Sequence, residues 1–100
     1  MIRHIVLFKL KEFDSEKEKN EVLNLLKINL ENLKSKIKEI QFFEVGIDVA
    51  DSPNSYDIGL NSEFISMEDL EKYRIHPDHQ KVVELLKQYT IKRVAVDYVI

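Results

Sequence analysis

The sequence lacks cysteine entirely and holds only two glycines, two prolines and no long apolar run. Without cysteine there is no disulfide framework, no thiolate metal site and no thiol nucleophile. The apolar block Ile5–Phe8 is too short for the core of a signal peptide, and a membrane helix needs about 20 apolar residues. These absences are compatible with the cytoplasm, and we expect a cytoplasmic protein with no membrane contact.

An excess of positive charge is also missing, because the formal net charge is −3. A large basic face for nucleic acid is therefore not expected. The length of 100 residues predicts one domain over residues 1–100, without linker, repeat or low-complexity tract.

Apolar periodicity and capping residues predict the elements. Strands are expected at residues 2–10, 40–49 and 91–99, and another runs through Tyr56, Ile58 and Leu60 toward Phe64. The first helix starts at a cap provided by Ser15 or Asp14 and ends near Lys38, and a second helical region runs from a Ser66 cap to about Tyr89.

Pro77 interrupts the second helical region. A proline disfavours helical backbone at the preceding residue and is well tolerated as the first residue of a helix. The sequence therefore predicts a helix end by Ile75, an exposed kink at His76 and a new helix from Pro77. His79 then lies in the first helical turn, where the helix dipole disfavours an imidazolium and favours the neutral ring.

Two polar side chains are predicted to point inward on either side of this kink. His79 lies on the apolar stripe of its helix. Tyr73 lies on the apolar side of the preceding helix. The simpler interpretation is a hydrogen-bonded pair within the core, and the functional interpretation is a pocket.

The predicted order βαββαβ is typical of the ferredoxin-like α+β fold, a four-stranded antiparallel sheet with helices on one face. The other face of such a sheet is normally polar. Here Ile5 and Leu7 make the first strand apolar on that face too, and the last strand is also apolar on both faces. We expect a homodimer formed through Ile5, Leu7 and the C-terminal strand.

Three motifs resemble a known family. The chain opens with HIVLFKL at residues 4–10, has Y-x-x-H-P-x-H at residues 73–79 and closes with VDY at residues 96–98. In their order and spacing, over essentially the whole chain, they resemble the stress-responsive dimeric A/B barrel (Dabb) family. The resemblance implies a homodimer in which two sheets pack into a barrel.

The resemblance also implies two kinds of function. The family includes stress-induced proteins without a demonstrated reaction, and plant polyketide cyclases of the olivetolic acid cyclase type, which need no metal or cofactor. In such a cyclase the motif tyrosine and histidine line the pocket, aided by a first-strand histidine. The residues at these positions are Tyr73, His79 and His4. More distant relatives include cofactor-independent monooxygenases acting on aromatic substrates.

We therefore expect a pocket between sheet and helices that binds a small apolar or aromatic molecule. Its predicted apolar lining is Val6, Phe8, Val82, Val83 and Leu86. The alternative is a cofactor-free cyclase, lyase or monooxygenase-like enzyme. In a cyclase or lyase His79 would remove a proton beside a carbonyl, Tyr73 would hydrogen-bond to the enolate and His4 would orient or shuttle a proton.

Metal binding is a third hypothesis. His76-x-x-His79 has the spacing of one helical turn, but zinc in a catalytic site usually takes three protein ligands. The third would be His4 or a carboxylate, and His76, before Pro77, is expected to point elsewhere. We expect neither metal nor cofactor.

Overall fold

Four antiparallel strands form one sheet, and the computed structural model describes all of residues 1–100. The elements in chain order are β1 (Ile2–Leu10), α1 (Glu16–Glu31), α2 (Leu33–Lys36), β2 (Phe42–Ile47), β3 (Ile58–Phe64), α3 (Met67–Ile75), α4 (Pro77–Lys87) and β4 (Thr90–Val99). The order across the sheet is β2-β3-β1-β4. The predicted ferredoxin-like α+β fold is confirmed.

The central strand β1 separates the core from the outer face of the sheet. Alternate side chains, including those of Val6 and Phe8, are buried beneath the helices, as the period of two in a strand requires. The core also takes apolar side chains from α1, β2, β3, α3 and α4. His4 is buried with them, with only 2% of its surface exposed.

Two serine caps start the helices where the sequence predicts. The Ser15 hydroxyl accepts a hydrogen bond from the Glu18 N–H at 3.1 Å. The Ser66 hydroxyl accepts one from the Asp69 N–H, also at 3.1 Å. Each cap satisfies one of the four N–H groups that a helix start leaves without an intrahelical acceptor.

The first helix is shorter than predicted. It is interrupted at Asn32, and α2 ends at Lys36 instead of Lys38. Ile37 has extended backbone, at φ −120° and ψ 109°, yet its side chain is buried. Apolar spacing could not mark this end, because the core accepts the Ile37 side chain from extended as well as helical backbone.

The strand ends also differ from the prediction. β2 spans Phe42–Ile47 instead of 40–49, and Val49, expected on its apolar face, is 96% exposed in the following loop. β3 starts after Tyr56, at Ile58, and includes Phe64. α4 ends at Lys87 instead of Tyr89, so that β4 begins one residue earlier than predicted.

The second helical region is divided at His76, as predicted. His76 has φ −62° and ψ 134°, and Pro77 is the first residue of α4. The His76 side chain is only 30% exposed, so its predicted exposure is wrong. Its Nδ1 accepts a hydrogen bond from the Asp78 N–H at 3.1 Å, which makes His76 the N-cap of α4.

The outer face of the sheet exposes apolar side chains on β1 and β4. Ile5 is paired with Val96, and Leu7 with Val94. Cross-strand partners lie on the same face, so these four side chains form one patch. Leu7, Val94 and Val96 are 38%, 39% and 53% exposed. None of the helices is long and apolar enough to span a membrane.

Candidate functional site

The structure brings Tyr73, His79 and His4 together, although they belong to three different elements. The Tyr73 ring lies between the two histidine rings. Its centroid is 4.3 Å from that of His79 and 6.2 Å from that of His4. The break at Pro77 allows this arrangement, because it lets Tyr73 of α3 and His79 of α4 point to the same place. His4 reaches it from the helix-facing side of β1.

Tyr73 is buried in a cluster of aromatic rings. Only 1% of its surface is exposed, and its ring centroid lies 5.1 Å from Phe64 and 6.1 Å from Phe43. Burial raises the pKa of Tyr73 above its ordinary value, so the hydroxyl remains protonated near neutral pH. No group of the chain forms a hydrogen bond with this hydroxyl, which leaves its proton available to a ligand.

The His79 ring is held in one tautomer by the backbone. Its Nδ1 lies 2.9 Å from the Arg74 carbonyl oxygen. A carbonyl only accepts hydrogen bonds, so Nδ1 carries the proton and the neutral ring keeps a free lone pair on Nε2. Burial lowers the pKa of His79, while the bond to Arg74 opposes this effect. The predicted preference for neutral His79 has the right direction, with burial as the largest cause.

The His4 ring is held by a carboxylate. Its Nδ1 contacts Oδ1 of Asp97, and Oδ2 of Asp97 accepts a hydrogen bond from Arg74 Nη2 at 2.9 Å. Burial lowers the pKa of His4, and Asp97 opposes the shift. The carboxylate orients the ring with Nδ1–H toward β4, so that Nε2 of neutral His4 is free.

Asp97 and Arg74 were not predicted as site residues. Asp97 lies opposite His4 in the pairing of β1 with β4, and it therefore shares the helix-facing side of the sheet. The signal in the sequence was Asp97 itself, an acidic residue within a strand rich in β-branched residues and part of the closing VDY motif. The sequence did not show which strand would lie beside β1, so it could not match Asp97 to His4.

A cavity of about 470 Å³ opens beside these rings, between the sheet and α3 and α4. It is lined by all three predicted polar residues and by Val6, Phe8, Val83 and Leu86. Val82, predicted with them, lies in the core and does not line the cavity. Leu30 of α1 and Leu60 of β3 add apolar wall that the sequence did not reveal.

One side of the cavity is lined by cations. We call Arg74, Lys87, Lys92 and Arg93 the cationic rim. No aspartate or glutamate lines the cavity, although the chain as a whole has a net charge of −3.

The donor set does not fit the metal hypothesis. No three histidine, aspartate or glutamate side chains are grouped closely enough to hold a metal ion. Nδ1 of His76 caps α4, and Nδ1 of His79 is bonded to Arg74. His76 and His79 therefore do not direct these two nitrogens at a common point.

The sheet order and the helix layer together define a ferredoxin-like α+β protein, and His4, Tyr73 and His79 beside the cavity form its candidate site. A model of the stress responsive A/B barrel domain matches residues 2–100, and the chain belongs to this family. The family resemblance seen in the sequence is thereby confirmed.

Individual relatives agree with this assignment. An uncharacterized protein of Streptomyces coelicolor is 32% identical over 98% of both chains. A dimeric protein of unknown function and ferredoxin-like fold from Bacteroides fragilis is 37% identical, with a TM-score of 0.86 over 97% of this chain and 93% of that one. Hydroxynitrile lyase from Passiflora edulis is 21% identical, with a TM-score of 0.78 over 99% of this chain and 92% of that one, which shows a shared fold alone.

Proposed function

We propose that the chain is a single domain over residues 1–100 that forms a homodimer and binds a small apolar or aromatic molecule beside Tyr73 and His79. The main support is the cavity of about 470 Å³, which lies within the range of roughly 300–1,000 Å³ for small-molecule sites. Tight packing around His79, with no cavity reaching it, would instead have indicated a structural role. Apolar walls with a few convergent polar groups are typical of ligand pockets.

The polar groups of the site support ligand binding more than core stabilisation. Fully buried polar atoms normally have hydrogen-bond partners within the fold, and the two that lack one here are Nε of Arg3 and Oδ1 of Asn61, so the unpartnered polar atoms of the site reach the open space of the cavity. The Tyr73 hydroxyl has none, and Nε2 of both His4 and His79 is left free by the bonds that Nδ1 makes. The site thus offers one donor and two acceptors to a molecule in the cavity.

Titration with naphthalenemethanol, a neutral aromatic alcohol, tests binding. We expect chemical-shift changes at the methyl groups of Val6, Val83 and Leu86. Val83→Phe should abolish them by filling the cavity, whereas Ile28→Phe, on the exposed side of α1, should retain them. No change with the wild-type protein, or equal binding by Val83→Phe, would rule out this site.

The homodimer is proposed to form through the outer face of the sheet. The patch of Ile5, Leu7, Val94 and Val96 is apolar and partly exposed, which is unusual for the solvent face of an antiparallel sheet. The relative from Bacteroides fragilis is described as dimeric. Cavity and patch lie on opposite faces of the sheet, so pairing through the patch leaves the cavity accessible from the helix side.

A second candidate is a cofactor-free acid–base enzyme of the cyclase or lyase type. The observation in its favour is the contact between neutral His79 and protonated Tyr73, with ring centroids 4.3 Å apart. Nε2 of His79 would accept a proton from carbon beside a carbonyl, and Tyr73 would donate a hydrogen bond to the enolate oxygen. His4, oriented by Asp97, would shuttle the proton.

Exchange of the methyl protons of acetonaphthone with D2O tests this chemistry, since exchange requires the enolate. The wild type should accelerate exchange, and His79→Gln should reduce the enzymatic rate by about 100-fold or more, the usual contribution of a general base. Tyr73→Phe should reduce it as well while retaining naphthalenemethanol binding. Exchange at the uncatalysed rate in the wild type would leave only the binding function.

A further inference from the structure

Like Lys92, Arg93 is a member of the cationic rim without an acidic partner. It lies opposite Phe8 in the pairing of β1 with β4 and therefore faces the helices, and it lines the cavity. Two other members of the cationic rim have acidic partners: Arg74 binds Asp97 at 2.9 Å, and Lys87 lies 3.4 Å from Glu84. Arg93 forms no ion pair with any acid of the chain. Its guanidinium is therefore free to bind an anion from solution.

The surroundings of Arg93 favour an anion with an apolar body. Two members of the cationic rim, Lys92 and Arg93, have no acidic partner, and no acid lines the cavity, so the local potential is positive. Other parts of the cavity wall are apolar and include the side chains of Phe8 and Leu86. The positive charge of Arg93 also acts on all three rings, because it adds to the effect of burial that lowers the pKa of His4 and His79 and opposes the effect of burial that raises the pKa of Tyr73.

We propose that the ligand is an aromatic or apolar carboxylic acid whose carboxylate is bound by Arg93 while its apolar body lies in the cavity beside Tyr73. This inference rests on the proposed ligand-binding function and specifies the ligand class. A guanidinium presents paired N–H donors in a plane, and a carboxylate accepts both in a bidentate hydrogen bond. Val94 and Val96 of the same strand point to the opposite face, so the proposed dimer does not occupy this position.

A matched pair of probes tests the proposal: naphthoate and the neutral naphthalenemethanol. We expect the wild-type protein to bind naphthoate about tenfold more tightly, with a preference that weakens as salt is added, because Arg93 is exposed and its charge is screened. Arg93→Gln should weaken naphthoate binding until the two probes bind with about equal affinity. Lys81→Gln, which removes the same charge from an exposed α4 position outside the cavity lining, should retain the full preference.

The outcomes separate this inference from the proposed function. Equal affinity of the wild type for the two probes, or a preference that survives in Arg93→Gln, would overturn the assignment of Arg93 while leaving the cavity as a ligand site. Failure of the wild type to bind either probe would overturn the ligand site and this inference together. An equal loss of preference in Lys81→Gln would show a general charge effect and would also refute a specific role for Arg93.

Discussion

His4 and His79 are two side chains whose protonation is coupled to folding. Both have a pKa below the ordinary value, and burial is the largest cause for each. The folded state therefore prefers the neutral rings, and the unfolded state binds protons more readily as the pH falls. The free energy of unfolding therefore has its full value, as far as these two rings are concerned, above a pH of about 6.5, the pKa of an unfolded histidine. It decreases as the pH falls below that value.

His79→Gln should reduce this loss of stability at acid pH without abolishing it, because His4 remains. The measurement is the free energy of unfolding by urea between neutral and mildly acid pH, for the wild type and the variant. NMR titration of the ring protons separates the histidines. A pKa for His79 at or above its ordinary value would contradict both the pH dependence and its role as a neutral base.

Asp97 provides a second test of the site. Its carboxylate raises the pKa of His4 against the effect of burial, so Asp97→Asn should lower that pKa further, and Arg74, left without its partner, should add to the decrease. NMR titration of the His4 ring measures the change. Glu84→Gln, an equal loss of charge on an exposed face of α4, should leave the His4 titration as in the wild type.

The position of the helices depends on short-range hydrogen bonds at their ends as well as on packing. α3 brings Tyr73 to the site, and its first turn is capped by Ser66. His76 then caps α4 and sets the start of the helix that carries His79. The segment from Ser66 to His79 thus contains two caps and one proline, and each fixes where a helix begins.

Ser66→Ala should lower the free energy of unfolding by about 1 kcal/mol, the typical cost of losing a serine cap. Urea denaturation checks the value. The control is Ser35→Ala, because the Ser35 hydroxyl is exposed and bonds only to the Asn32 carbonyl within the same helical region. Its effect should be within about 0.5 kcal/mol. Equal effects of the two substitutions would show that the α3 cap is not a specific contribution to stability.

At the scale of the whole molecule, the outer face of the sheet is the surface that we propose for association. β4 is an edge strand whose residues are nearly all exposed in the single chain, while β1 beside it exposes Leu7. In the proposed dimer these strands are covered by the second sheet. A charge placed in such an interface costs several kcal/mol unless it is paired, so it should act on association more than on the fold.

Leu7→Lys should therefore shift the protein from dimer to monomer. Light scattering at micromolar concentration should give twice the chain mass of 11.8 kDa for the wild type and a lower mass for the variant. Ile28→Lys adds the same charge at an exposed apolar position on α1 and should keep the dimer mass. A wild-type protein of monomer mass would refute the proposed dimer.

The order of elements, the two serine caps and the break at Pro77 were predictable because each depends on residues close together in the chain. Alternation in β1 likewise fixed which side chains share a face, including His4 with Val6 and Phe8. The inward positions of Tyr73 and His79 follow from the same local periodicity. The family resemblance carried by the three sequence motifs is confirmed by the match of the family model to residues 2–100.

The contacts that make these residues a site were decided by the tertiary structure. Asp97 meets His4 across 93 positions of sequence, because β4 pairs with β1 at one particular register. The same pairing places Arg93 opposite Phe8 and beside the cavity. Hydrophobic periodicity specifies that a strand has a buried face but not which strand lies next to it, nor how completely the core fills the space beneath the helices. Strand pairing and packing between distant segments therefore produced the ion pair, the cavity and the cationic rim.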